Sequence, residues 1–153
     1  MNAIIQDAAV PKFVEAARRV CHAIETLENS RWDPLLGALT ALLAAAQPLA
    51  HVRVEPGDIE LSDDAVAVAS TLSVTDTMFF YAVFDPLDQD SVLAVSLRDC
   101  LSDIYGPIKS GLRLLNEAPQ EMPGVIWEWR NGYQFHWGRH LVDAIRFLVL
   151  VKS

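Results

Sequence analysis

Thiol chemistry has almost nothing to work with in this chain. Of its 153 residues only Cys21 and Cys100 are cysteines, 79 positions apart, with no CxxC spacing and no Cys/His cluster. That leaves a zinc-finger or thioredoxin-like role unsupported. Each cysteine falls on the apolar side of an expected helix, which reads as a buried free thiol in a reducing compartment. Positive charge is scarce too: twelve Lys and Arg stand against twenty Asp and Glu, for a net charge of -8. The chain therefore lacks the basic footprint that a nucleic-acid backbone or an anionic membrane demands of its main partner. Long hydrophobic runs are missing as well. Residues 34–46 are interrupted by Thr40, and residues 141–151 carry Asp143 and Arg146, so neither suits a bilayer span. The first ten residues hold Asp7 and no base, so no signal peptide is expected and the expected location is cytoplasmic. The seven glycines are scattered and form no phosphate-binding loop.

What is present describes an ordered globule. A chain that is 52% hydrophobic and 21% charged, at this length, is expected to fold as a single domain over residues 1–153. The negative charge is concentrated. Residues 51–90 hold nine carboxylates against one base, Arg53, which accounts for the whole net charge. Such a segment reads as a solvated connecting region, with a docking face for a basic partner as the alternative.

Helical periodicity dominates. A first helix is expected from Pro11 to about Glu28, with Phe13, Ala17, Val20, Cys21, Ile24 and Leu27 on one stripe. A second is expected from Asp33 as N-cap through Pro34 to about Gln47, stopped by Pro48. Residues 66–74 alternate Val, Ala and Thr and read as strand or helix. The helix is favoured for residues 50–75, because a lone strand would have nothing to pair with. Residues 78–84 are expected to form a short helix packed into the core. Ser96 caps the next helix, with Asp99 three residues on. Leu97, Leu101, Ile104, Ile108, Leu112 and Leu115 carry its stripe to about Glu117, and Pro107 is expected to kink or loosen it. The last and longest helix is expected from Pro123 to about Val151. The fold class is thus all-α, a bundle of about five or six helices, mostly up-and-down.

The unusual chemistry sits in the last helix. At about 100° per residue, Trp129, Tyr133, His136, Trp137, His140, Ala144 and Phe147 share one face, with Asp143 at its margin. His136 and His140 lie one turn apart and together can ligate one metal ion, although Trp137 stands where a His-Glu-x-x-His protease has its glutamate. Asp143 is available as a third ligand but could equally pair with Arg139 across one turn, or with Arg146. Asp99 and Asp103 fall opposite the Leu101 stripe, so only a kink at Pro107, or burial of their helix on a second side, brings them to the histidines. The other reading makes His136 and His140 core-edge histidines bonded to Tyr, carboxylate or backbone partners. Gly132 and Gly138 each sacrifice roughly 1 kcal/mol of helix propensity, which points to close packing beside the tryptophans.

Two stretches carry a family resemblance. They are Ser96-Leu-Arg-Asp-Cys-Leu-Ser-Asp-Ile-Tyr105 and the block from Val125 to Arg146 containing Trp127-Glu-Trp-Arg-Asn-Gly-Tyr-Gln-Phe-His-Trp-Gly-Arg-His140. Together with the Phe84-Asp-Pro86 step and the first helix, they resemble an uncharacterised bacterial family of small helical proteins, the DUF5063-like family. Residues 48–75 match least well. The resemblance implies an all-helical fold of about this length, and it supplies no activity, cofactor or partner. Its characteristic residues would be Asp103, Tyr105, Trp129, His136, Trp137, His140 and Asp143. With Tyr133 they make up the candidate pocket.

With no complete catalytic constellation and no basic face, the favoured reading is a non-enzymatic domain acting through protein contacts, as a homodimer or with another protein. The alternative is a metal-binding protein or metal-dependent hydrolase using His136 and His140, with Asp143 or Asp103 as third ligand or base. A small-molecule binder lined by Trp129, Tyr133 and Trp137 is a third class.

Overall fold

The computed structural model describes residues 7–28, 31–61 and 78–151. Among these the chain forms five α-helices and one two-stranded hairpin, in a mostly up-and-down helical bundle. In chain order they are α1 (Ala9–Glu25), α2 (Asp33–Leu49), β1 (Phe79–Val83), β2 (Val92–Ser96), α3 (Leu97–Glu117), α4 (Met122–Phe135) and α5 (Trp137–Val151). A 3-10 turn, Pro119–Glu121, leads into α4. Helix α1 packs on α2 and α3, and α5 packs on α2, α3 and α4. Among the described residues no helix is long and apolar enough to cross a membrane.

Helix α1 buries the expected stripe, Phe13, Ala17, Val20, Cys21 and Ile24. It starts two residues before Pro11, where the Asp7 carboxylate accepts the Ala9 N–H at 2.9 Å. In α2 the cap is Trp32 and Asp33 is already helical, and Pro48 sits inside the last turn instead of ending it. Both cysteines are buried free thiols, pushed up to about 12 by burial.

Three expectations are overturned. Residues 78–84 are not a short helix: β1 pairs antiparallel with β2, Phe79 opposite Ser96 and Val83 opposite Val92. The aromatic and β-branched run favours a strand, and its partner, Val92–Ser96, lies directly before the Ser96 cap. The connection is built from the acidic segment itself. Asp85 and Asp88 accept the N–H groups of Leu87 and Asp90 at 2.9 and 3.0 Å, and Ser91 bonds back to the carbonyls of Asp85 and Asp88. The hairpin is tied to the bundle by Phe80 stacking on Phe147, ring centroids 4.9 Å apart. Second, residues 51–61 are irregular rather than helical; residues 66–74, where helix was favoured over strand, lie outside the described residues. Third, the long C-terminal helix is two helices, broken at His136, whose φ of -137° and ψ of -84° leave the helical region. Helix α3, by contrast, runs through Pro107 without interruption.

Large aromatic rings fill the centre. Trp129 and Trp137 are wholly buried against Phe13, with centroids 4.9 and 6.1 Å away. The Trp129 indole N–H donates to the Pro107 carbonyl at 3.1 Å. Glycines make room for these rings. A Cβ on Gly111 would stand 2.5 Å from the Trp129 ring, and one on Gly132 would stand 2.5 Å from Trp137 Nε1. At Gly138 a Cβ would collide with the Tyr133 carbonyl oxygen. Gly132 therefore does pack beside a tryptophan, whereas Gly138, on the other side of the helix break, packs against Tyr133.

Gly111→Ala tests this packing. It gains about 1 kcal/mol of helix propensity but forces the indole to move, and overpacking typically costs about 1–3 kcal/mol. A lowered urea midpoint is expected; a raised one would show that the Trp129 ring can shift freely.

Candidate metal centre

The break at His136 decides where the two histidines go. His136 is the residue between α4 and α5, and its side chain is exposed rather than turned into the core. Its N–H still closes α4 on the Gly132 carbonyl at 2.8 Å. His140 lies in the first turn of α5 and is half-buried. The rings meet edge to face, 5.7 Å between centroids.

The third member comes from α3. Its buried residues include Cys100, Ile104 and Pro107 as well as Leu101, because the helix packs on α1, α4, α5 and the hairpin. Centred on this wider arc, Asp103 falls only about 40° past Pro107 at 100° per residue, at the border of the buried face. The second-side burial that the Leu101-centred stripe had argued against is what brings it in. Asp103 Oδ2 stands 3.1 Å from His140 Nε2. Ligand-capable atoms of Asp103, His136 and His140 all lie within 4.8 Å of one another.

Electrostatics settles the state of His140. Burial pushes it below the usual histidine range, helped by the Arg139 and His136 charges and opposed by Asp103 and Asp143. A neutral ring beside a carboxylate must place its proton on Nε2, as donor to Asp103. Its Nδ1 is then a buried lone pair without a partner. Protonating Nδ1 would bury an unpaired N–H, which is costly and agrees with the downward shift.

Asp143, one turn further along α5, is not among these three but lines the same cleft. Burial lifts its carboxyl above the usual range despite His140, Arg139 and Arg146, and it makes no ion pair with either arginine. The cleft has a volume of about 250 Å³ and is walled by the hairpin (Ala82–Phe84 and Leu93–Ser96), by Asp99 and Asp103 of α3, and by Arg139, His140 and Asp143 of α5. Cys100 feels Asp143, Asp103 and Asp99 but stays a protonated thiol, so it offers neither a ligand nor a nucleophile.

The other pocket candidates are placed elsewhere. Trp129 and Trp137 belong to the core. The Tyr133 ring packs on Trp137, 5.4 Å between centroids, and its hydroxyl accepts from Gln47 at 2.5 Å. The Tyr105 hydroxyl donates to Glu25 at 2.6 Å, and the same Glu25 oxygen meets Lys109 at 2.8 Å. An aromatic pocket of Trp129, Tyr133 and Trp137 is therefore not formed. Sequence reasoning missed Arg139 and Phe84 in the cleft wall, where the guanidinium lies 4.5 Å from the ring centroid. Their contact spans the unforeseen hairpin, so no local signal announced it.

The sequence model of a family described as "Domain of unknown function (DUF5063)" matches residues 5–153. The crystal structure of protein BF1032 from Bacteroides fragilis is similar in fold, with a TM-score of 0.71, 22% identity, and coverage of 97% of this chain and 98% of that one. No curated protein matches.

The state of His140 has a pH consequence. Unfolded, the ring binds a proton near the ordinary histidine value of 6.5, whereas folded it resists one. Its contribution is therefore complete above about pH 6.5 and is lost as pH falls through the lower folded value. In urea titrations over that window the wild-type midpoint should fall more steeply with acidity than that of His140→Gln. Parallel profiles would show that His140 is not held neutral.

Proposed function

We propose that this chain, which belongs to the DUF5063 family of small bacterial helical proteins, binds a divalent transition-metal ion through Asp103, His136 and His140 and puts it to hydrolytic use. One observation carries the reading: a carboxylate from α3 and two imidazoles from the α4–α5 corner present ligand-capable atoms within 4.8 Å of one another. Two histidines and one carboxylate are a donor set for zinc, iron or manganese, and three protein ligands leave coordination positions open for water or substrate. Such an ion supplies a Lewis acid and an acidified water. The chain supplies the rest. Asp103 draws His140 into register, and His136 stands on the solvent side where exchange is free. Asp143, raised by burial, sits in the same cleft as an acceptor for a proton. An ion held there would compete with protons for the imidazole and carboxylate donors, so its binding would weaken in acid.

A protein-contact role has its own support in the exposed hairpin side chains Tyr81 and Leu87, which are 78% and 94% exposed. It needs no metal, and the same experiment separates the two. Protein made without a chelator or affinity tag should carry near-stoichiometric zinc, iron or manganese by mass spectrometry. His136→Ala/His140→Ala should abolish it. Asp103→Asn should weaken it by at least the roughly 10–100-fold that loss of even an outer-shell partner costs. A folded wild type that stays metal-free after incubation with each ion would refute the metal reading and leave the protein-contact one.

A further inference from the structure

We infer that Arg139, seated on Phe84 in the wall of this cleft, anchors a small oxyanion, a phosphate ester or a carboxylate, beside the centre formed by Asp103, His136 and His140. The inference rests on the metal reading and names the class of ligand the centre takes. Arg139 follows directly on the site, next in chain to His140 and one turn from His136 on the other side of the break. Its guanidinium lies 4.5 Å from the centroid of the Phe84 ring, which the hairpin carries into the cleft wall. The ring contact restrains the guanidinium at the cleft wall, and its N–H fork matches carboxylate and phosphate oxygens. That fork is not spent within the protein. Asp99, Asp103 and Asp143 line the same cleft, yet Arg139 makes no ion pair with a described carboxylate.

Charge then dictates the order of events. Three carboxylates in the lining repel an anion, and Arg139 alone cannot offset them. Arg139 and a divalent ion together can, so the oxyanion is held only when the metal is present. At about 250 Å³ the cleft suits a small ligand, since pockets for drug-sized molecules run to roughly 300–1,000 Å³. Ala82 and Val95 of the hairpin offer an apolar wall to whatever carbon skeleton bears the oxyanion.

The test is calorimetric titration of metal-loaded protein with inorganic phosphate and, separately, with acetate, alongside metal analysis of every sample. The tighter of the two anions identifies the source class. Arg139→Gln should keep the wild-type metal content and lose roughly 10–100-fold in affinity for that anion, the scale of a charge-assisted bidentate contact. Arg139→Lys should recover only part of the loss, and Phe84→Leu should weaken binding without touching the metal. Equal anion affinity in wild type and Arg139→Gln at full metal content overturns the inference, as does a fully loaded wild type that binds neither anion. Absence of metal in every sample overturns the metal reading itself, and the anchoring role falls with it.

Discussion

Everything about the candidate centre depends on burying two tryptophans eight residues apart in one small core. On an unbroken helix Trp129 and Trp137 would lie about 80° apart at 100° per residue and about 12 Å apart along the axis at 1.5 Å per residue, too far for both to pack on Phe13. Breaking the helix at His136 folds Trp137 back over Gly132, and both rings reach Phe13. The fold-back leaves Trp137 Nε1 buried without an acceptor. Such a group costs about 1–3 kcal/mol, which burial of a full indole offsets. His136 is the residue left at the corner. It turns to solvent for a packing reason, and that is what frees it as a ligand.

The same bend aims α5 at α3. Once α5 starts at Trp137, its first turn carries His140 to Asp103 and its second carries Asp143 into the cleft. Core and centre are thus one geometric solution. The residues that characterise the family resemblance divide accordingly. Trp129, Trp137 and Tyr105 hold the bundle through rings and the Glu25 bond, while Asp103, His140 and Asp143 line the cleft and His136 stands beside Asp103 and His140. A sequence pattern mixing both sets cannot by itself say which residues fold and which react.

How much of this was legible follows from range. Local signals read well: the α1 stripe, the Ser96 cap, whose hydroxyl accepts the Asp99 N–H at 3.2 Å, and the buried cysteines. The histidine pair stood out because its spacing is local too. The hairpin did not, since a two-residue period is recognised only when both strands are seen, and Val92–Ser96 hides inside the approach to a helix cap. The break did not either. Gly132 and Gly138 signalled close packing, but nothing nearby said that the object packed on Gly132 was a tryptophan of the same segment folded back. Asp103 was set aside by measuring from Leu101, a choice that presumes a helix buried on one side. A helix packed on three others and a hairpin has no such single centre.

The centre is also where the fold bears a cost it need not bear for packing alone. His140 keeps a buried, unpartnered nitrogen, and Asp143 keeps a carboxyl that burial disfavours as an anion. Replacing both with apolar residues of similar volume would remove these penalties, since buried polar groups without partners are not a source of stability. Asp143 does not tie distant elements together in the way the Glu25 carboxylate ties α1 to Tyr105 and Lys109, and His140 reaches across to α3 only to meet Asp103 of the same cluster. Groups that lower stability yet stand together in a cleft, facing an arginine whose fork is unspent, are better accounted for by a ligand than by the fold. An ion there would offset part of this cost. It would take up the lone pairs of both imidazoles, hold Asp103 ionised, and offset the charge that burial penalises at Asp143.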